Sequence, residues 1–236
     1  MEFYPETIFI GFDIVYKSPQ FKLLTDCPAL LQILHKHIAE RYPFSTSDIS
    51  GGLKTEYSNF VARISLFRGN GQLDIYLDKF TASFENLISA KDIEIALDCM
   101  QLAEIALTNF VDSSDILEFN IRPIVHYRSK KPDETVRDFL TRRFNPAQQY
   151  SFPSNDSEMT IHHGAKFEFE SSKEKWRVAI DLYRSTFDDS VLILNCNSYY
   201  SPTGVLNTIM ERGRHLERFI EMFLQQVGIN IDRSSR

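Results

Sequence analysis

The sequence predicts an α+β fold, an antiparallel sheet covered on one face by helices, and three observations carry that prediction. Short segments that alternate apolar and polar residues, the period of a half-buried strand, recur along the 236 residues. Between them stand longer segments with apolar residues at helical spacing, opened by capping residues. The order strand, helix, two or three strands, long helix is read twice, which divides the chain into two similar halves, 1–113 and 114–236, forming one pseudo-symmetric unit. Strands that come in runs, with helices set between the runs, favour an antiparallel sheet with helices over one face.

The repeat is read residue by residue. Phe60, Ala62, Ile64 and Leu66 align with Trp176, Val178, Ile180 and Leu182 at an offset of 116, from Phe60 to Trp176. Leu73–Leu77 and Val191–Asn195 follow as second strands. The first turn, Gly69-Asn70-Gly71, supplies residues that tolerate positive φ. The second turn is Asp188-Asp189-Ser190. Each copy ends in a helix. Ser89 and Asp92 form a capping-box pattern before the stripe Ile93, Leu97, Met100, Ala103, Leu107, Phe110 and Val111. Ser201-Pro202 reads as N-cap and first helical residue of a helix from Pro202 to Val227, with Val205, Ile209, Leu216, Phe219, Ile220, Phe223, Leu224 and Val227 as its stripe and Gly228 as its stop.

The remaining elements follow in order. Thr7 to Tyr16 reads as a buried central strand, and Pro28 to Arg41 as a helix ended by Tyr42-Pro43. Leu53 to Tyr57 opens a further strand. In the second half Leu117 to Tyr127 is a strand, Pro132 to Arg143 a helix, and Met159 to Phe169 a strand that hairpins with Trp176 to Tyr183.

Four segments carry a family resemblance: the Pro5-Glu-Thr-Ile-Phe9 strand, the Arg41-Tyr42-Pro43 helix end, Leu73-Asp-Ile-Tyr-Leu-Asp-Lys-Phe80, and a closing helix with His215-Leu-Glu217 and Phe223. Together they resemble an uncharacterised, sporadically distributed bacterial protein family of about this length. The resemblance implies the fold and supplies no catalytic residues.

Composition narrows the function classes. Hydrophobic content of 43%, with 19 Phe and 10 Tyr, suffices for a packed core. No stretch approaches the roughly 20 apolar residues of a membrane span, and the amino terminus lacks the basic region of a signal peptide. Cys27, Cys99 and Cys196, odd in number and without CxxC spacing, read as free thiols of a reducing, cytoplasmic setting. Residues 1–112 hold 9 Lys/Arg against 15 Asp/Glu, which is the whole net charge of −6; the remaining 17 of each cancel. Such a balance argues against a general nucleic-acid binder.

Candidate sites are few. His162-His163 on a strand would point to opposite faces, and His35/His37 and His215/Glu217 are two apart on helices, so none of these pairs shares a metal, and no metal or cofactor is expected. Asp74, Asp78, Asp188 and Asp189 read as surface and turn residues. No GxSxG, Walker A or GxGxxG pattern occurs, so no catalytic residue is named. The basic concentration runs from Arg122 through His126, Arg128, Lys130, Lys131 and Arg137 to Arg142 and Arg143, the last two being the nucleic-acid candidates. Three residues, Tyr76, His126 and Tyr183, are the candidates to line a ligand cavity between sheet and long helix. The expectation is a non-enzymatic binding or interaction protein, with a protein partner or a second copy of the chain both compatible. The alternative is a protein that binds, or acts on, a small apolar molecule in that cavity.

Overall fold

A computed structural model describes residues 2–51, 60–130, 135–144 and 164–232. Its elements in chain order are β1 (Glu2–Tyr16), α1 (Lys22–Ile38), β2 (Ile49–Gly51), β3 (Phe60–Leu66), β4 (Gly71–Tyr76), β5 (Lys79–Leu87), α2 (Ala90–Leu107), β6 (Ile116–Ser129), α3 (Val136–Phe144), β7 (Gly164–Ser171), β8 (Trp176–Arg184), β9 (Val191–Tyr200), α4 (Ile209–Gln226) and β10 (Asn230–Ile231). One sheet contains all ten strands. Its order is β2-β3-β4-β5-β1-β6-β9-β8-β7, with β10 added parallel to β1. Every other pairing is antiparallel. The mixed α+β class is therefore as the patterning predicts.

The two longest strands, β1 and β6, lie side by side at the centre and pair from Phe3↔Ser129 to Tyr16↔Ile116. Strand alternation then sorts the side chains. Ile8, Ile10, Phe12 and Ile14 of β1 stand beside Val125, Pro123, Ile121 and Phe119 of β6 and form the floor of the core. The intervening positions make a polar rung across seven strands, Arg63–Asp74–Thr81–Asp13–Asn120–Tyr199–Arg177. On this rung Arg63 Nε donates to Asp74 at 2.7 Å, and Arg122, two residues along β6 from Asn120, reaches Asp13 at 3.0 Å. Burial raises the Asp13 carboxyl above its usual range, and the Arg122 charge offsets part of that effect.

Aromatic side chains fill two regions of the core. Phe12, Phe84 and Phe67 meet edge to face or tilted under α1, and Tyr42 continues the cluster. Phe167, Phe169, Trp176, Phe219 and Phe223 join β7 and β8 to α4.

Several expected boundaries are corrected. The last helix begins at Ile209, seven residues after Pro202, because Thr208 and Glu211 cap each other and make the better start. Ser201 to Gly204 forms a turn instead, and Val205 is left exposed outside the helix. α1 begins at Lys22 and continues through Pro28; the buried stripe Leu23, Leu30, Leu34 and Ile38 outweighs the backbone hydrogen bond that proline removes. α3 begins at Val136. β5 was not expected as a strand, yet it is the one that pairs with β1 and leads into α2, as β9 pairs with β6 and leads towards α4. By position in the sheet β4 thus corresponds to β8 and β5 to β9, one strand out of step with the offset of 116. The strand expected at Leu53 to Tyr57, and Met159 to His163, lie outside the described residues.

Candidate functional site

Two helices shape the site, and both are fixed at their amino ends by reciprocal caps. Ser89 Oγ accepts from Asp92 N at 3.2 Å while Ser89 N donates to the Asp92 carboxylate at 2.8 Å. Thr208 and Glu211 repeat the arrangement on α4, at 3.2 and 3.0 Å. α4 runs antiparallel to α2: Glu104 near the end of α2 accepts from Ile209 N at the start of α4 and binds Arg212 Nη1 at 3.0 Å.

Arg212 is 2% exposed and has a complete set of partners. Its remaining nitrogens donate to the carbonyls of Leu206 and Asn207, both at 3.1 Å, and its guanidinium lies 3.5 Å from the centre of the Phe119 ring. Burial lowers its pKa, and the Glu104 carboxylate opposes that shift. The group holds the loop before α4, α2 and β6 together.

One turn further on, the two helices touch at Gly213. A Cβ there would lie 2.5 Å from Leu97 Cδ2, so any larger residue would require the Leu97 side chain to shift. Beyond the crossing, the first turn of α2 and the second half of α4 stand apart and leave a cavity of about 790 Å³. Its floor is Ile8 and Ile10 of β1 with Ile121, Pro123, Val125 and Tyr127 of β6. Its walls are Ile93 and Leu97 of α2 and Leu216, Ile220 and Leu224 of α4. Ile229 and Ile231 close the end away from the crossing, where β10 is pinned to β1 through Glu2↔Asn230 and Phe3↔Ile231. Polar side chains enter the lining from the helices, as Ser89, Lys91, Glu217, Glu221 and Gln225, and from Asn230.

A second hollow, of about 400 Å³, is an open depression at the end of β6, β8 and β9, lined by Glu118, Lys175, Arg177, Tyr199 and neighbours of mixed polarity. The cavity between the helices and the sheet is larger, less open and mainly apolar with a few polar groups, which are the properties of a small-molecule site.

The three cavity candidates named from sequence do not line it. His126 alternates with Val125 and Tyr127 and so points to the other face of the sheet. Tyr183 lies two strands away on the same rung, since Ile193 pairs with both. Tyr76 is on β4, its hydroxyl 3.4 Å from Asp74 and its ring beside Phe60 and Lys79. Burial raises the phenols of Tyr76 and Tyr183.

The basic concentration is largely engaged within the fold. Arg122 pairs with Asp13, Arg128 with Glu6 and Asp188, and Lys130 with Glu2 and Asp232. Arg143 donates to the carbonyls of Val227 and Gln226 at the end of α4, at 2.9 and 3.1 Å. Arg142 is exposed on α3. Lys131 and His162-His163 lie outside the described residues. Among the described residues no group of three His, Cys, Asp or Glu side chains is placed to hold a metal, and no helix is long and apolar enough to cross a membrane.

Arg212, Glu104 and Gly213 were not singled out in the sequence. Gly213 was the available signal: a glycine inside a strongly amphipathic helix marks a close approach. The chain matches no protein-family model and no curated protein.

Proposed function

We propose that this is a non-enzymatic binding protein for a small apolar molecule, held between β1, β6, α2 and α4. The observation that carries the reading is the half-open cavity of about 790 Å³ whose floor is wholly strand-borne and apolar apart from the Tyr127 hydroxyl. Its volume falls within the roughly 300–1,000 Å³ of known ligand sites. The lining hydroxyl that stands beside a carboxylate, Ser89 Oγ at 2.8 Å from Asp92, belongs to the cap of α2 and also accepts from Asp92 N, which favours a structural role for the pair and a binding reading of the cavity.

The same reading treats residues 1–113 and 114–236 as equivalent units with their helices in one layer. Each unit would then give the site one floor strand, β1 or β6, and one wall helix, α2 or α4. A binding site at the seam of two like units accords with the frequent placement of pockets at such junctions.

The test is thermal unfolding of the protein with a panel of small apolar compounds, from n-alcohols to naphthalene. A compound that binds only the folded state raises the midpoint by an amount that grows with the logarithm of its concentration over Kd. Ile220→Trp, which fills the space, should abolish the rise. Stabilisation that survives Ile220→Trp, or no stabilisation by any compound, would overturn the proposal.

A further inference from the structure

We infer that Leu97, seated on Gly213, sets the length of the guest, and that the guest is an aliphatic chain lying along β1 and β6 with one end against that contact. The inference rests on the cavity being a binding site.

The floor gives the guest its axis. β1 and β6 run side by side beneath both helices, and their apolar positions reach the lining only as far inward as Ile10 and Ile121. The next positions inward on the same face are Phe12 and Phe119, both buried and outside the lining. Arg212 covers Phe119, its guanidinium 3.5 Å from the ring centre. The trough therefore ends beneath the helix crossing.

Leu97 is the wall at that end. A Cβ on Gly213 would meet Leu97 Cδ2 at 2.5 Å and Cδ1 at 3.1 Å, so the Leu97 side chain rests on bare backbone and spans the gap between α2 and α4. Both residues belong to the lining. From Tyr127 to Ile121 the floor covers six residue steps, roughly 20 Å at the rise of a strand. An extended hydrocarbon advances about 1.25 Å per carbon, for bonds of ~1.5 Å at ~111°, so a chain of about 16 carbons is the longest that lies there stretched out.

The side walls give the chemistry. The chain has 19 Phe and 10 Tyr, yet its rings gather beside α1 and beneath α4, and Tyr127 is the one ring in the lining among the described residues. Aromatic walls would favour a planar guest through stacking. Isoleucine, leucine and valine offer dispersion contact alone and suit a guest that adjusts its torsions to them. Polar groups along the guest would lie unpaired on the floor. Its polar end therefore belongs away from Leu97, where Lys91, Gln225 and Asn230 enter the lining. Glu217 stands nearer the crossing, but it is exposed at the opening between the helices.

The experiment is equilibrium competition of the straight-chain alcohols from 1-hexanol to 1-octadecanol against radiolabelled 1-decanol, each supplied from cyclodextrin to fix its free concentration. Each added methylene should tighten binding about fourfold while the chain still gains floor. The gain should stop at or before 1-hexadecanol. Leu97→Ala should move the stop to chains about one or two carbons longer. Leu97→Val, a smaller deletion that keeps the test open if the alanine variant does not fold, should move it by about one carbon. Leu224→Ala removes the same atoms from a side wall; it should weaken the whole series and leave the stop in place. A stop at the same length in the wild type and both Leu97 variants would overturn the role of Leu97, as would an equal displacement by Leu224→Ala. If naphthalene binds and is excluded by Ile220→Trp while no alcohol binds, the cavity is a ligand site but the chain assignment fails. If nothing binds, the inference falls together with the proposed function.

Discussion

Replacing Arg212 by methionine should be among the most damaging single changes available in α4. The guanidinium is buried, and methionine keeps much of its volume against Phe119 while removing every donor. Glu104 then keeps one short bond, from Ile209 N, but loses the charge that balances it, and the carbonyls of Leu206 and Asn207 lose their donors. Breaking a buried ion pair from one side costs about 3–5 kcal/mol, a large part of the ~5–15 kcal/mol that stabilises an ordinary domain. With a urea slope near 3 kcal/mol/M, the upper end for small domains and reasonable for this length, the midpoint should fall by roughly 1–2 M. Arg214→Met, on an exposed position of the same helix, supplies the baseline. Adding Glu104→Gln to Arg212→Met removes the stranded charge, keeps an oxygen for Ile209 N, and should restore at least half of the loss. Equal midpoints for Arg212→Met and Arg214→Met would refute the reasoning, as would a double variant less stable than the single one.

Four further outcomes are expected. Phe223→Ala deletes a ring packed 4.9 Å from Phe167 and 5.9 Å from Phe169 and should cost about 3–5 kcal/mol in denaturant titration, whereas exposed Arg218→Ala should be nearly silent. Gly213→Ala forces its new methyl into Leu97 and should cost about 1–3 kcal/mol, with Leu97→Ala relieving part of the penalty in a double-mutant cycle. His215 is packed among Trp176, Phe219 and Tyr200, and burial lowers its pKa while Glu174 opposes the shift. A depressed histidine contributes stability above its unfolded value of about 6.5 and loses it as pH falls through the folded value; His215→Phe should therefore flatten the decline in urea midpoint between pH 7.5 and 5. Arg143→Ala should lower thermal stability by uncapping α4 and leave retention on heparin unchanged, and a large loss of heparin retention would restore the nucleic-acid reading of that helix.

What could be read from the sequence was mostly periodicity. The alternation in Phe60–Leu66 and Trp176–Leu182, and the stripe from Ile209 to Leu224, depend on local spacing and survive into the structure. Boundaries went astray where two local signals competed. Ser201-Pro202 and Thr208-x-x-Glu211 both resemble helix starts, and the reciprocal cap prevailed. β5 was lost because Lys79–Leu87 follows β4 after only a tight turn and its polar positions drew no notice. A cavity between sheet and long helix is the alternative reading of the sequence, and the residues that line the hollow there are not the three it names. Tyr76, His126 and Tyr183 were chosen as residues of ligand-binding type. Which face each occupies depends on register across the whole sheet, and that is fixed by pairings between residues far apart in sequence.

The central pairing of β1 with β6 also sets a hazard for the nascent chain. Phe3 cannot meet Ser129 until more than a hundred further residues have been made, which at about 5–20 residues per second is roughly 6–25 s of synthesis. For that interval β1 has β5 on one side and an open ladder on the other, and its middle, from Thr7 to Phe12, carries no charged residue to guard the edge. Two chains on neighbouring ribosomes could satisfy each other there, β1 of one taking β6 of the next, in an exchanged dimer with the same rungs as the monomer. Slowing translation between β5 and β6 should therefore increase the yield of such dimers, and a faster passage should reduce it.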